Sequence, residues 1–273
     1  MNKTLKKALI SFIIPVIIIV IAFMNNIWLG FAAILLYIAV LLYINRTVVY
    51  MVLGSRKYAK GEAEQSLKWF KRAHESKKAT VRQSVSYAYM LLRTADLVKS
   101  EEILQKLLKD NLSSPDTPYI KSNLALVLWK KGELDAAIAM LENVMETYKT
   151  TTVYGSLGYL YILKGDLERA LQFNLEAHDY NSTDKVILDN LGQNYYLLGN
   201  HDKAREIYES LTAQAPNFPE PYYNYGLVLE KLGESEAALE MVKKSLNYKF
   251  TYLSSISKEE VESKIQHMNN LLP

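Results

Sequence analysis

Four stretches decide the fold. Asn123–Ile138 reads NLALVLWKKGELDAAI, Ser156–Leu171 reads SLGYLYILKGDLERAL, Asn190–Arg205 reads NLGQNYYLLGNHDKAR, and Asn224–Leu239 reads NYGLVLEKLGESEAAL. Each carries a glycine at the same offset, and Gly132, Gly165, Gly199 and Gly233 recur at an almost constant interval. Five positions later stands an alanine (Ala137, Ala170, Ala204, Ala238), and seven positions earlier a small residue (Ala125, Gly158, Gly192, Gly226). Before the small residue comes Leu124, Leu157, Leu191 or Tyr225. Small residues on two successive helices let them approach closely, while the glycine supplies the left-handed backbone of the turn between them. The leucines and tyrosine fill the seam at helical spacing. A fixed period of this kind marks an array whose units bury their apolar faces against their neighbours.

These motifs resemble the tetratricopeptide repeat, a helix–turn–helix unit. The resemblance implies an all-α solenoid, a right-handed superhelix whose concave surface is built from the first helices. Pro216 falls at the repeat-ending proline position of the family, whereas Lys149, Ser182 and Phe250 occupy its equivalents. Carried backward, the register finds two degenerate copies. Residues 81–114 contain Tyr87, Ala88, Leu91, Leu104 and Leu107, with Ala95 in place of the turn glycine and Ser100 in place of the small alanine. Residues 47–80 contain Leu53, Gly54, Tyr58, Gly61, Phe70 and Ala73. The expectation is six repeats over 47–252, at 47–80, 81–114, 118–150, 151–184, 185–218 and 219–252. A capping helix follows over 253–273, opened by a capping box of Ser257 and Glu260 and carrying Val261, Ile265 and Met268 as its apolar stripe.

The chain before the array is different in kind. No charged residue occurs from Ala8 to Ile44, and Asn25-Asn26 divides this stretch into 8–24 and 27–44. Seventeen or eighteen helical residues extend roughly 26 Å, the short end of what crosses a hydrocarbon core. Trp28 and Tyr43 suit the membrane interface. Residues 1–46 are therefore expected to form a transmembrane helical hairpin. The competing reading is a signal peptide followed by one anchor, although no small-residue cleavage site follows Ile21. Lys3, Lys6 and Lys7 precede the first span, Arg46, Arg56, Lys57 and Lys60 follow the second, and the turn carries no Lys or Arg. That asymmetry places both ends, and the repeats, at the cytoplasmic face of the cell membrane. The Lys-, Asn- and Ile-rich style resembles a bacterial membrane protein.

Charge continues the division. Residues 46–82 hold ten Lys/Arg against three Glu, whereas residues 83–273 hold 19 basic and 26 acidic residues. The plain reading is a positive-inside flank with ordinary solvated helices. The functional reading sets Arg56, Lys57 and Lys60 on the anionic leaflet, where each basic residue contributes ~1 kcal/mol.

Several classes of function are expected to be absent. The 273 residues contain no Cys, which excludes disulfides, thiolate metal sites and cysteine nucleophiles. The balance of 32 Lys+Arg against 29 Asp+Glu carries no nucleic-acid signature. His74, His178, His201 and His267 have no metal-binding spacing. No glycine-rich phosphate cradle or nucleophile elbow occurs, and the S-x-x-K at Ser255–Lys258 has no companion motif. We expect no enzyme activity, no metal, no cofactor, no nucleic acid and no small-molecule substrate.

The partner is expected to be a protein. In the family resembled, the groove is lined by first-helix residues two before, one after and four after the small position. That pattern implies Asn123, Asn190 and Asn224, with Ser156 in the remaining regular repeat. Tyr89, Trp129, Tyr159, Gln193, Tyr196 and Tyr223 are expected on the same face. A row of amides can hold a peptide backbone without reading its side chains, or can bond neighbouring helices instead. The Lys/Arg clamp with which some members grip a terminal carboxylate is not reproduced at Val85, Tyr89, Ser122, Leu126 and Ser156. The expected function is a membrane-anchored adaptor or scaffold holding a partner segment in its groove. The alternatives are a structural subunit of a membrane complex and a secretion or envelope-assembly accessory factor.

Overall fold

The computed structural model describes residues 12–112 and 114–271, and among them the chain forms fifteen α-helices and no strand. They group into two compact units that part between Gln83 and Ser84.

The first unit opens with two apolar helices, α1 (Ile14–Asn25) and α2 (Ile27–Ile44), packed against each other. The helix breaks at Asn26, whose extended backbone (φ −161°, ψ 136°) frees its side chain to accept from the Trp28 N–H at 2.8 Å. Among the described residues α2 alone has the length and apolarity to cross a membrane, a test that a signal sequence also passes. Residues 8–11 of the expected first span lie outside the described residues. The 12 residues of α1 extend only about 18 Å, short of a hydrocarbon core.

Two further helices, α3 (Arg46–Ala59) and α4 (Ala63–His74), complete this unit as an antiparallel pair. The Ser66 hydroxyl donates to the Gly54 carbonyl at 2.8 Å, and the Phe70 ring lies where a Gly54 side chain would stand. Of the three basic residues expected at a membrane surface, Lys57 pairs with Glu62 at 2.7 Å, while Arg56 and Lys60 are exposed.

The second unit continues the helix-pair pattern: α5 (Val81–Arg93) with α6 (Leu97–Asp110), and α7 (Thr117–Lys130) with α8 (Leu134–Met145). It goes on through α9 (Thr151–Lys164) with α10 (Leu167–Tyr180), α11 (Lys185–Leu197) with α12 (His201–Ala213), and α13 (Glu220–Lys231) with α14 (Ser235–Ser245). The last helix is α15 (Lys258–Leu271), entered through reciprocal Ser257–Glu260 capping bonds of 3.1 and 2.6 Å. Its Val261 and Met268 are buried, and Ile265 packs beside them.

Close helix approach holds each pair together. A Cβ added to Gly226 would stand 2.9 Å from the Ala238 carbonyl and 2.5 Å from a Val242 methyl. One added to Gly192 would stand 2.8 Å from the Tyr208 ring. In the degenerate second copy a hydrogen bond supplements the contact, as the buried Ser100 hydroxyl donates to the Ala88 carbonyl at 2.8 Å.

The turns are left-handed as the glycines require, with Gly165 at φ +85°, but Ala95 adopts φ +68° with its Cβ in place. Ala95→Gly therefore relieves a strain of about 1–2 kcal/mol at some entropic cost, and should stabilise the chain by about 0.5–1 kcal/mol in thermal denaturation. Gly226→Ala should do the reverse, by about 1–3 kcal/mol, because the obstructing atoms include backbone.

Candidate functional site

The first helices of the second unit, α5, α7, α9, α11 and α13, share one face: residues of four of them meet the same short segment of the chain. The asparagine row lies largely beneath this surface. Asn190 is 3% exposed and donates to the Gly155 carbonyl of the preceding repeat at 2.7 Å. Asn224 donates to the Asp189 carboxylate at 3.1 Å, and Asn123 to the Tyr119 carbonyl at 2.9 Å. Their amide N–H groups are committed to the solenoid itself. The aromatic members and Gln193 are half-buried instead. Trp129 and Tyr159 meet edge-to-face at 5.4 Å, Arg93 lies over the Tyr89 ring at 5.7 Å, and Tyr196 lies 5.5 Å from His201. Tyr223 lines a cleft of about 550 Å³ with Glu259, Glu260, Ser263, Lys264 and His267.

Across this face runs a segment of the chain itself. The connections that lead from α8, α10 and α12 into the next helix are short, at 146–150, 181–184 and 214–219, whereas that from α14 to α15 runs over 246–257. The added length crosses this face. The Tyr252 N–H donates to the Arg93 carbonyl of α5 at 3.3 Å, and Lys130 Nζ of α7 lies 5.3 Å from the Tyr252 ring centroid. The Ser254 carbonyl accepts from Lys130 Nζ at 3.4 Å, and the Ser255 N–H donates to Glu220 Oε1 of α13 at 3.1 Å. These last two groups belong to one peptide bond. Lys130 and Glu220 therefore hold both poles of the Ser254–Ser255 amide, one from each side. The Ser254 hydroxyl accepts from the Thr251 N–H at 3.1 Å, and the two serines lie beside Glu220 and Tyr159 of α9. Phe250 and Ile256 pack on the apolar cluster that includes Leu188, Tyr225 and Val228.

Burial governs the charges. Desolvation lowers the Lys130 pKa, partly offset by Glu220, and raises that of Glu220 despite the hydrogen bonds it accepts. The Tyr159 phenol is pushed up to about 12, again chiefly by burial. Asp189, beneath the face on α11, is raised to about 7 by burial first and by Glu220 second. It accepts from the Tyr208 hydroxyl and from Asn224, both at 3.1 Å.

Reading the family positions misses Lys130, Glu220 and Asp189. Lys130 stands five positions after its small residue, one beyond the lining pattern, and resembles an ordinary base in a last turn. Glu220 resembles an ordinary first-turn acid between Pro219 and Pro221. Asp189 left a visible signal, a carboxylate directly after the apolar run Val186–Leu188. No cluster of three His, Asp or Glu side chains able to hold a metal occurs among the described residues.

Comparison with known proteins agrees with this architecture. Three tetratricopeptide-repeat models match residues 119–152, 188–217 and 207–240. The matched residues are tetratricopeptide repeats. The chain is 27% identical over 137 residues to the TPR repeat-containing protein YvcD of Bacillus subtilis, covering 50% of this chain and 28% of the relative. It is 25% identical over 158 residues to the TPR repeat-containing protein MJ1428 of Methanocaldococcus jannaschii, covering 58% and 27%. The chain thus spans about a quarter of the length of these relatives. Among solved structures, a tetratricopeptide repeat protein from Parabacteroides merdae superposes with a TM-score of 0.64 at 12% identity, covering 94% of this chain and 99% of that one. PilF of Pseudomonas aeruginosa superposes with a TM-score of 0.55 at 14% identity, covering 81% and 97%. At these identities the likeness concerns the fold.

The buried acid sets a pH dependence. The folded chain keeps Asp189 protonated to about pH 7, whereas the unfolded chain releases that proton near 3.8. The folded state thus binds the extra proton between these values, and its stability falls as pH rises through them and levels above about 7. Glu220 acts in the same direction. The melting temperature should decline from pH 5 to 7, and Asp189→Asn should flatten the decline. An unchanged slope in the variant would assign the dependence to other groups.

Proposed function

We propose that this chain is a membrane-anchored adaptor that holds a segment of another protein in a concave groove at the cytoplasmic membrane face. The reading rests chiefly on one observation: the Lys130–Glu220 pair grips a peptide bond through its carbonyl and N–H, the two groups that every non-proline partner backbone offers. A site built this way recognises a chain by its main chain, with neighbouring pockets adding side-chain preference. Scaffolding by protein–protein interaction is the work the repeat architecture suits.

The apolar helices support a membrane tether, α2 by its length and α1 as its packed neighbour. The excess of basic residues over 46–82 supports a cytoplasmic orientation. Anchoring confines adaptor and partner to one surface and raises their effective concentration. The proposed peptide site comprises Lys130, Glu220, Tyr159, Trp129, Tyr89, Gln193, Tyr196 and Tyr223. Asn123, Asn190 and Asn224 support its floor, and Arg56 and Lys60 are offered to the lipid surface with Lys57 beside them. The segment already seated on the face favours a second reading, a structural subunit whose groove is permanently closed.

A photo-crosslinking residue in place of Gln193, carried by the full chain in its native membrane, tests the adaptor reading. A discrete protein adduct is expected, reduced at least fivefold by Lys130→Met with Glu220→Gln. A complex that survives mild detergent yet gives no adduct from this position would install the structural reading instead.

A further inference from the structure

The geometry points to residues 251–257 as an intrachain occupant of the peptide site, which a partner segment must displace and which that partner resembles. The inference rests on the adaptor reading and adds to it both a gate and a description of the ligand.

Three observations carry it. The connection over 246–257 is two to three times as long as its counterparts at 146–150, 181–184 and 214–219. A chain of that length reaches about 40 Å when extended, far more than one helix-to-helix step requires. Its path is anchored at three separate repeats, by the Arg93 carbonyl, by Lys130 and by Glu220. The anchors are nevertheless those of a ligand: they meet mainly main-chain atoms, and residues 251 and 253–257 are only half-buried while Tyr252 stays 38% exposed. A permanent core connection would sink its side chains as the interior helices do.

The seated segment also describes what replaces it. Two successive small hydroxyl residues flank the gripped amide, one facing Glu220 and the other Tyr159. Leu253 and Ile256 stand outside them, and Ile256 packs on the apolar cluster. The partner is thus a segment with an aliphatic–hydroxyl–hydroxyl–aliphatic pattern that turns as residues 251–254 do, where the Ser254 N–H donates to the Thr251 carbonyl at 3.0 Å. Phosphorylation of the first hydroxyl would set a dianion against the Glu220 carboxylate and oppose binding. Because the occupant is tethered, it competes at an effective concentration of the order of millimolar, and the closed state prevails until a partner binds better or is held nearby.

The test uses the full chain in lipid nanodiscs and a fluorescein-labelled synthetic peptide with the sequence of residues 249–258, followed by fluorescence polarisation. Ser255→Pro removes the N–H that Glu220 accepts and should tighten the apparent Kd for the peptide at least tenfold. Adding Glu220→Leu to that variant should abolish the gain. A second variant guards against misfolding. The chain lacks Cys, so Arg93→Cys with Tyr252→Cys introduces a single pair where the two backbones already share a hydrogen bond. Oxidation should suppress peptide binding at least tenfold, and reduction of the same sample should restore it. Equal binding by oxidised and reduced samples, or no gain in Ser255→Pro, overturns the gate. Crosslinking to a cellular partner that proceeds equally in the oxidised state also overturns it, while leaving the adaptor reading intact. Peptide binding that follows the latch, with no partner adduct in membranes, sustains the gate and removes the adaptor.

Discussion

The structure depends on how closely two helices of one repeat can approach. At Gly192 and Gly226 even a methyl group would enter an aromatic ring or a backbone carbonyl on the facing helix. That constraint fixes the tilt of each pair, and the tilt, recurring with the period of the array, turns the first helices toward one face. The degenerate copies keep the geometry by other means. Ser66 and Ser100 replace an alanine with a hydroxyl that bonds the carbonyl of the small residue opposite, so the close contact becomes a hydrogen bond.

Close approach also explains why the asparagines sit where they do. When first helices stack tightly, the position two before the small residue faces the neighbouring repeat as much as the groove. An amide there meets a backbone carbonyl, as Asn190 meets Gly155, or a buried carboxylate, as Asn224 meets Asp189. A buried amide gains more from a fixed partner than from intermittent solvent. Longer side chains higher on the face meet residues 252–255 of the chain itself. Lys130 and Glu220 reach them from helices three repeats apart on either side of Tyr159, and each loses some preference for its charged form through burial. A charged pair held in this state suits a peptide bond, whose own dipole offers an acceptor to one and a donor to the other.

The apolar helices follow a different logic. Their side chains remain exposed along nearly the whole length, with Trp28 76% and Tyr43 68% exposed. Neither helix has a strong difference between its faces, since both are apolar all round. Such surfaces are stable where the surroundings are apolar as well, in contrast to the repeats, whose second helices each bury one face and show charge on the other.

Sequence alone determined the repeat architecture, because turns of positive φ and close helix contacts demand small residues at fixed spacing. It determined the capping box at Ser257 and Glu260 and the apolar stripe of α15 for the same reason: both are local patterns, set within one turn or at helical period. It also showed the uncharged stretch from 8 to 44 directly. Only the tertiary structure decided what lies on the face of the first helices. The Ser254 carbonyl and Lys130 are 124 residues apart, and Ser255 and Glu220 are 35 apart. No periodicity links them, because a contact made across a superhelix depends on the accumulated rotation of every repeat between its partners. Lys130 and Glu220 satisfied ordinary helix-end preferences in the sequence, and folding gave the same charges a second task.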